Sequence, residues 1–219
     1  MTGTSSQTGC FTDAARVGNR LLLEAAPQMN ESERILLENQ WLSSRDCEYL
    51  VLLYETFWSP DLGQDYGGSR VIDHTVFSVN TEIESYLRRV TERLRNRVQE
   101  FFGIPGLILE SLYLAALLEG GFRKTHADNE KYVGGRWIPN HTPQRDYTAI
   151  VYLNSDFSGG DLCFPQHNVC VSPKRGLLVA FPSSRNFVHA VDRVSRGTRY
   201  TMPVWFTRDP HFAASGLAN

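Results

Sequence analysis

From about residue 108 the chain breaks into short apolar runs separated by Gly, Pro, Asn and Asp: LILESLYLAALL, YTAIVYLN, DLCFP, VCVS, GLLVAFP, FVHAV and YTMPVWFT. Regularly spaced short strands with turn signals between them predict an all-β sandwich or barrel. Ahead of them the texture is helical. Ile83, Leu87, Val90, Leu94, Val98 and Phe101 recur at helical spacing up to Gly103, behind a capping pair of Thr81 and Glu84. A second helix is expected after Ser43, through 49–57. A third follows the pair Asn30 and Glu33, into Ile35, Leu36, Leu37 and Trp41, and a short one is expected at 14–25. Residues 71–79 suggest a strand and 59–70 a loop. The organisation predicted is a mobile segment at 1–26 and a single domain at 27–219. Helical support occupies 27–103 of that domain, and a double-sheet β-core, a jelly roll with helices packed outside one sheet, occupies 107–208.

Bulk properties narrow the functions. The net charge of −2 carries no signature of a nucleic-acid partner. Arg88, Arg89, Arg93, Arg95 and Arg97 share the long helix with Glu82, Glu84, Glu92 and Glu100, the pattern of a solvated face. No apolar run is long enough to span a membrane, and the first residues lack the basic start and apolar core of a signal peptide. The four cysteines, Cys10, Cys47, Cys163 and Cys170, contain no CxxC pair and read as free thiols in a reducing, cytoplasmic compartment. Cys163 and Cys170 could face each other across a hairpin, but two small buried apolar residues is the reading preferred here.

The chemistry gathers between His126 and Arg199. His126 and Asp128 are two apart, so an extended chain aims both at one point. His189 lies about sixty residues on, in the strand-like FVHAV. Two imidazoles and a carboxylate can hold one face of a non-haem Fe(II) and leave the opposite face open. His74, His141, His167 and His211 are background, better read as ordinary surface or core histidines. Arg199 and Thr201 would share one face of a later strand, where guanidinium and hydroxyl together suit a terminal carboxylate. An arginine pointing into an apolar barrel needs such a partner.

These residues sit inside a wider match. The YLN at 152–154, GGD at 159–161, PxxGLLVAF at 173–181 and GxR at 197–199, with His126, Asp128 and His189, resemble the catalytic core of the prolyl-hydroxylase branch of the 2-oxoglutarate- and Fe(II)-dependent dioxygenases. The prolyl 3-hydroxylase (leprecan-like) group is the most similar, and the resemblance covers roughly 107–208. It implies a double-stranded β-helix, with His126, Asp128 and His189 on Fe(II) and Arg199 on the C5 carboxylate of 2-oxoglutarate. Tyr113 and Thr201 would help Arg199, and Tyr147 would line the pocket. Hydroxylation of an unactivated C–H would consume O2 and release succinate and CO2, with ascorbate as a possible reductant. The Asp128 carboxylate favours this outcome over halogenation. One departure stands out: prolyl 4-hydroxylases usually carry a tyrosine three residues before the first metal histidine, where this chain has Arg123. Arg123, Asn129, Arg136, Trp137 and Arg145 are the substrate-contact candidates, around the long segment 129–146. The substrate expected is a prolyl or other residue in a peptide or protein, the alternative a free amino acid or biosynthetic intermediate. A non-catalytic β-sandwich module and a cupin-type isomerase are the weaker rivals. The assembly expected is a monomer or homodimer.

Overall fold

The computed structural model describes residues 34–65 and 68–217. The expectations for 1–26, for a helix at 14–25 and for capping by Asn30 and Glu33 lie outside the described residues. Where the third helix should continue, the chain forms instead an edge strand, β1 (Leu36–Glu38), paired antiparallel with residues 178–180. Leu36 is buried while Leu37 points outward, so pairing at a sheet edge overrides the helical period of a run this short.

Helix α1 (Ser44–Phe57) starts where Ser43 caps it, accepting from Asp46 N at 3.1 Å. The turn-rich segment after it contains the short β2 (Gln64–Asp65) and runs into β3 (Ser69–Asp73). The strand expected over 71–79 therefore ends at Asp73. That side chain accepts from Thr75 N at 2.9 Å and starts a 3-10 turn, His74–Val79. Helix α2 (Thr81–Phe102) is capped one residue earlier than expected. Asn80 Oδ1 accepts from Glu82 N at 3.0 Å and from Ile83 N at 3.1 Å. Gly103, at φ 64°, ends it in the left-handed conformation glycine favours. Its last inward residue is Phe102 and not Phe101. Three of its arginines are engaged within the chain. Arg93 stacks 4.2 Å over Trp41, Arg97 pairs with Glu38 at 2.6 Å, and Arg88 pairs with Glu84 at 3.3 Å.

The remaining strands build two facing sheets and two small ribbons. They are β4 (Ile108–Leu117), β5 (Arg123–His126), β6 (Glu130–Val133), β7 (Arg136–Pro139), β8 (Tyr147–Tyr152), β9 (Ser158–Gly159), β10 (Leu162–Phe164), β11 (Val169–Val171), β12 (Leu178–Pro182), β13 (His189–Val191), β14 (Val194–Arg196) and β15 (Arg199–Thr207). The large sheet runs β1-β12-β8-β15-β4-β3-β2, and the small one β11-β10-β13-β5. Ribbons β9/β14 and β6/β7 complete the set. This is the double-stranded β-helix. The segment expected to be helical support thus also contributes β1, β2 and β3 to the large sheet.

Alternation sorts the large sheet's side chains. Leu112, Leu114, Ala149, Val151, Leu178, Ala180, Met202 and Val204 face outward under α1 and α2. Leu117, Tyr152, Val179 and Phe181 face inward, packing with Leu162, Phe164 and Val191 of the small sheet. The inner face is where a small ligand can be enclosed.

The cysteine expectation is corrected. Cys163 and Cys170 are direct register partners in the β10/β11 hairpin, with Cα atoms 4.0 Å apart, and they form a disulfide. Two of the four thiols therefore give no support to a reducing compartment. Cys47 is free and buried, and burial pushes its thiol up to about 11. Among the described residues no helix is long and apolar enough to cross a membrane.

Candidate active site

His126 ends β5 and His189 opens β13, and the two are register partners across the small sheet. Their rings lie 4.4 Å apart. Asp128 comes in the turn beyond β5, and ligand atoms of all three residues fall within 4.8 Å of one another. His126 Nε2 is 3.7 Å from one carboxylate oxygen of Asp128, and His189 Nε2 is 3.8 Å from the other. Each imidazole is oriented in the same way: Nδ1 lies against the carbonyl two residues earlier, Lys124 O at 2.7 Å and Phe187 O at 3.0 Å. A carbonyl only accepts, so Nδ1 carries the proton and Nε2 presents its lone pair inward.

Asp128 is fixed more heavily than either histidine. Its carboxylate accepts from Thr148 Oγ1 at 2.6 Å, and that hydroxyl lies 2.8 Å from Ser183 Oγ. Its N–H donates to Ser183 O, and its carbonyl accepts from Asn140 Nδ2 and Thr142 Oγ1. Burial alone would push this carboxyl up, but His189, His126, Thr148 and Arg145 outweigh it and hold the group below its ordinary value. His189 is pushed down, chiefly by burial, so the neutral imidazole that ligates metal is the favoured form. Two imidazoles with Nε2 turned inward and one ionised carboxylate suit Fe(II), and the half-exposed ring of His126, with a side chain 41% accessible, leaves one side of the cluster open.

Arg199 lies deeper on the same inner face. It is 5% exposed, donates from Nε to Gly160 O at 3.1 Å and from Nη2 to Tyr152 Oη at 3.1 Å, and lies over the Tyr152 ring at 4.8 Å. It has no ion-pair partner among the described residues. Thr201 is buried on the same face, opposite Tyr152 and Ala115.

The tyrosine beside Arg199 is therefore Tyr152, within the YLN run, and sequence reasoning missed it as a site residue. Counting inward parity along β8 from Thr148 would have found it, since Thr148 and Tyr152 are four apart. Tyr113 also faces inward, but near Trp205, with ring centroids 5.7 Å apart. It is four positions along β4 from Leu117, the partner of Arg199. The expectation that Tyr147 lines the pocket is corrected: it packs outward, its ring 4.9 Å from that of Phe102 under α2, because its parity is opposite to that of Thr148.

The substrate candidates scatter. Arg145 is ion-paired to Glu110 at 3.1 Å and stacked 3.9 Å over Trp205, which makes it a brace for the loop. Asn129 donates to Arg145 O at 2.9 Å, and its own Oδ1 is buried without a partner among the described residues. Arg136 and Trp137 lie on the β6/β7 hairpin. There Trp137 faces Tyr132 across the ladder at 5.5 Å and Arg136 is exposed. Arg123 lies on β5 opposite Val191, half-buried and bonded to Phe122 O at 3.3 Å; burial and then the charge of Arg199 push it below its ordinary value.

Comparison with known proteins agrees with this geometry. The profile described as "2OG-Fe(II) oxygenase superfamily" matches residues 112–207, which include all three clustered ligands and Arg199. Prolyl 3-hydroxylase 3 of Mus musculus is 30% identical over 236 residues, covering 91% of this chain and 32% of the mouse protein. Over residues 112–207 the chain matches the 2-oxoglutarate- and Fe(II)-dependent oxygenase superfamily, and it is similar to prolyl hydroxylases within it. It spans about a third of the length of the curated relatives it matches. Two solved oxygenase structures have a TM-score of 0.59. One is the prolyl hydroxylase of Trichoplax adhaerens in complex with a hypoxia inducible factor peptide fragment, 21% identical, covering 80% of this chain and 83% of that one. The other is HygX of Streptomyces hygroscopicus with nickel, 2-oxoglutarate and hygromycin B, 15% identical, covering 79% and 82%. At these identities they speak for the fold. The family's requirements, Fe(II), 2-oxoglutarate and O2, fit the donor set and the buried arginine described above.

Proposed function

We propose that this chain is a dioxygenase that hydroxylates an unactivated C–H of a prolyl or other amino-acid residue in a peptide or protein. The observation that carries the proposal is the convergence of His126, Asp128 and His189 within 4.8 Å, with Arg199 buried on the same inner face and, among the described residues, without an ion-pair partner. The similarity to prolyl 3-hydroxylase 3 supports a peptide substrate over a small molecule.

His126 Nε2, His189 Nε2 and an oxygen of Asp128 would hold Fe(II). When bound, the metal supplies O2 activation coupled to oxidative decarboxylation of 2-oxoglutarate to succinate and CO2. The protein's part is positional. The carbonyls of Lys124 and Phe187 lock both imidazoles in one tautomer. Thr148 and Ser183 keep the carboxylate turned toward them. Arg199, steadied by Tyr152 and Gly160, binds the distal carboxylate of the cosubstrate. Phe164 and Phe181, with ring centroids 5.8 and 4.7 Å from that of His189, keep the wall behind the metal dry. Ascorbate as an external reductant, and a monomer or homodimer as the working assembly, belong to the same proposal.

The test is an anaerobic titration of the Fe(II)-loaded protein with 2-oxoglutarate, then succinate release with prolyl peptides against free amino acids. A visible charge-transfer band and turnover with peptides alone are expected. A band with turnover only on free amino acids would replace the peptide by a small molecule. No band in folded, iron-loaded protein would overturn the cosubstrate assignment.

A further inference from the structure

Beyond Asp128 the chain leaves the core as the β6/β7 ribbon and returns to the same point. Val133 pairs with Arg136 across the turn Gly134-Gly135, at φ 58° and 81°. Positive φ at both central positions makes a tight hairpin turn that glycine takes without steric cost, and it fixes the register of the ribbon. Both ends of the ribbon are tied to the metal cluster. Asn140 N donates to Asn129 O at 3.2 Å, and the Asn140 amide and Thr142 hydroxyl donate to Asp128 O at 3.0 and 2.8 Å. Glu130 accepts from Arg185 N at 2.9 Å and pairs with its guanidinium at 2.6 Å, in the turn whose Phe187 carbonyl orients His189. A two-stranded ribbon by itself is marginal in water, and these ties hold this one in place.

Alternation gives the ribbon two faces. Glu130, Tyr132, Trp137 and Pro139 share one of them, and the Glu130–Arg185 pair turns that face toward the approach to His189. Lys131 and Arg136 lie on the other. The rings of Tyr132 and Trp137 are 5.5 Å apart at 60°, and Tyr132 is 61% exposed. Two adjoining aromatic faces and an indole N–H are the chemistry that receives a proline-rich peptide. The rings pack against pyrrolidines, and the N–H donates to a carbonyl of a helix that has no internal hydrogen bonds. From Asp128 to Tyr132 there are four steps along the chain, at most about 14 Å when extended. A polyproline helix covers that with four to five residues at about 3.1 Å each, so one peptide can rest on the rings while its reacting residue lies at the metal.

We infer that the β6/β7 ribbon is the docking arm for the substrate, and that the substrate is a peptide with prolines flanking the residue to be hydroxylated. The inference rests on the peptide reading under Proposed function and gives it a sequence requirement: proline within about five positions of the reacting residue. A free amino acid at the metal does not reach the rings. Strand parity takes Arg136 out of the substrate contacts and brings Tyr132 in beside Trp137. Because Asn140, Thr142 and Glu130 already hold the arm, little of its freedom remains to be lost when the peptide binds.

The experiment is a calorimetric titration of wild type, Tyr132→Ala, Tyr132→Phe and Trp137→Ala, first with Mn(II) and 2-oxoglutarate without O2, then with decaproline or a Gly-Ser decamer. Wild type should bind decaproline and not the Gly-Ser decamer. Each alanine variant should lose roughly tenfold or more in decaproline affinity, the loss typical of an aromatic anchor, and Tyr132→Phe should keep most of it. Affinities for Mn(II) and 2-oxoglutarate, and the melting temperature, should match wild type in all three variants, since neither ring belongs to an apolar core cluster. No decaproline binding by wild type, or equal binding of the two decamers, overturns the arm. So does equal decaproline affinity in wild type and the alanine variants. Sedimentation of wild type and Trp137→Ala reads the other occupant: a dimer that the substitution dissolves gives the ribbon to a second copy of this chain and overturns the arm. Failure of wild type to bind 2-oxoglutarate is a separate result. It removes the proposed function, and the decaproline comparison with Mn(II) alone then decides the arm.

Discussion

Thr148 is a fully buried hydroxyl whose two partners are the carboxylate of Asp128 and the hydroxyl of Ser183. Valine matches its shape and removes the donor. Partners of this kind typically cost 10–100-fold in metal affinity when lost, so Thr148→Val should weaken Mn(II) or Fe(II) binding by about that much while far-UV dichroism stays unchanged. His189→Ala should abolish stable metal binding, and retention of metal at wild-type affinity would refute the ligand assignment. Gly160 sits at φ 73°, and a Cβ there would stand 2.9 Å from Cδ of Arg199. Gly160→Ala should therefore raise the dissociation constant for 2-oxoglutarate and spare that for the metal, read by the same titrations. At this scale the sequence was informative where spacing and residue type coincided, as for His126, Asp128 and Arg199. It misled where only type was used. Tyr113, Tyr147 and Tyr152 are chemically equal, and strand parity alone separates the one beside Arg199 from the one under α2.

Among the elements, the β10/β11 hairpin is held twice, by its ladder and by the Cys163–Cys170 bond. A sequence separation of 7 closes a small loop, whose removal is expected to cost about 2 kcal/mol, or some 4–8 °C in melting temperature for a chain of this size. The Cys163→Ser, Cys170→Ser double variant tests this by thermal melting, and an unchanged midpoint would mean that the ladder alone sets the hairpin. β10 also pairs with β13, which carries His189. Helix α2 and the β-strands after 107 were legible because a long period of 3.6 and repeated short alternating runs are strong signals. β1 and the 3-10 turn after Asp73 were not. A three-residue edge strand is too short to show a period, and an aspartate can end a strand by capping the turn beyond it. The disulfide was also hidden, since sequence shows the distance between two cysteines along the chain but not whether they oppose each other in a ladder.

For the molecule as a whole, a ligand that binds only the folded state raises its stability by mass action, about 2.7 kcal/mol at a hundredfold excess over the dissociation constant. Mn(II) with 2-oxoglutarate should therefore raise the melting temperature, and a chelator should reverse the rise. An unshifted midpoint would count against a preformed site. The order β8-β15-β4 places β15, the last strand among the described residues, in the middle of the seven-stranded sheet. On the ribosome, β4 and β8 are made long before the strand that separates them. Their facing edges stay open until residue 207 has left the exit tunnel, and a nascent chain halted before residue 199 presents two unpaired apolar edges with nothing between them. A holding chaperone that covers those edges before that point is expected to raise the yield of folded protein in cell-free synthesis, and an unchanged yield would count against exposed edges as the hazard.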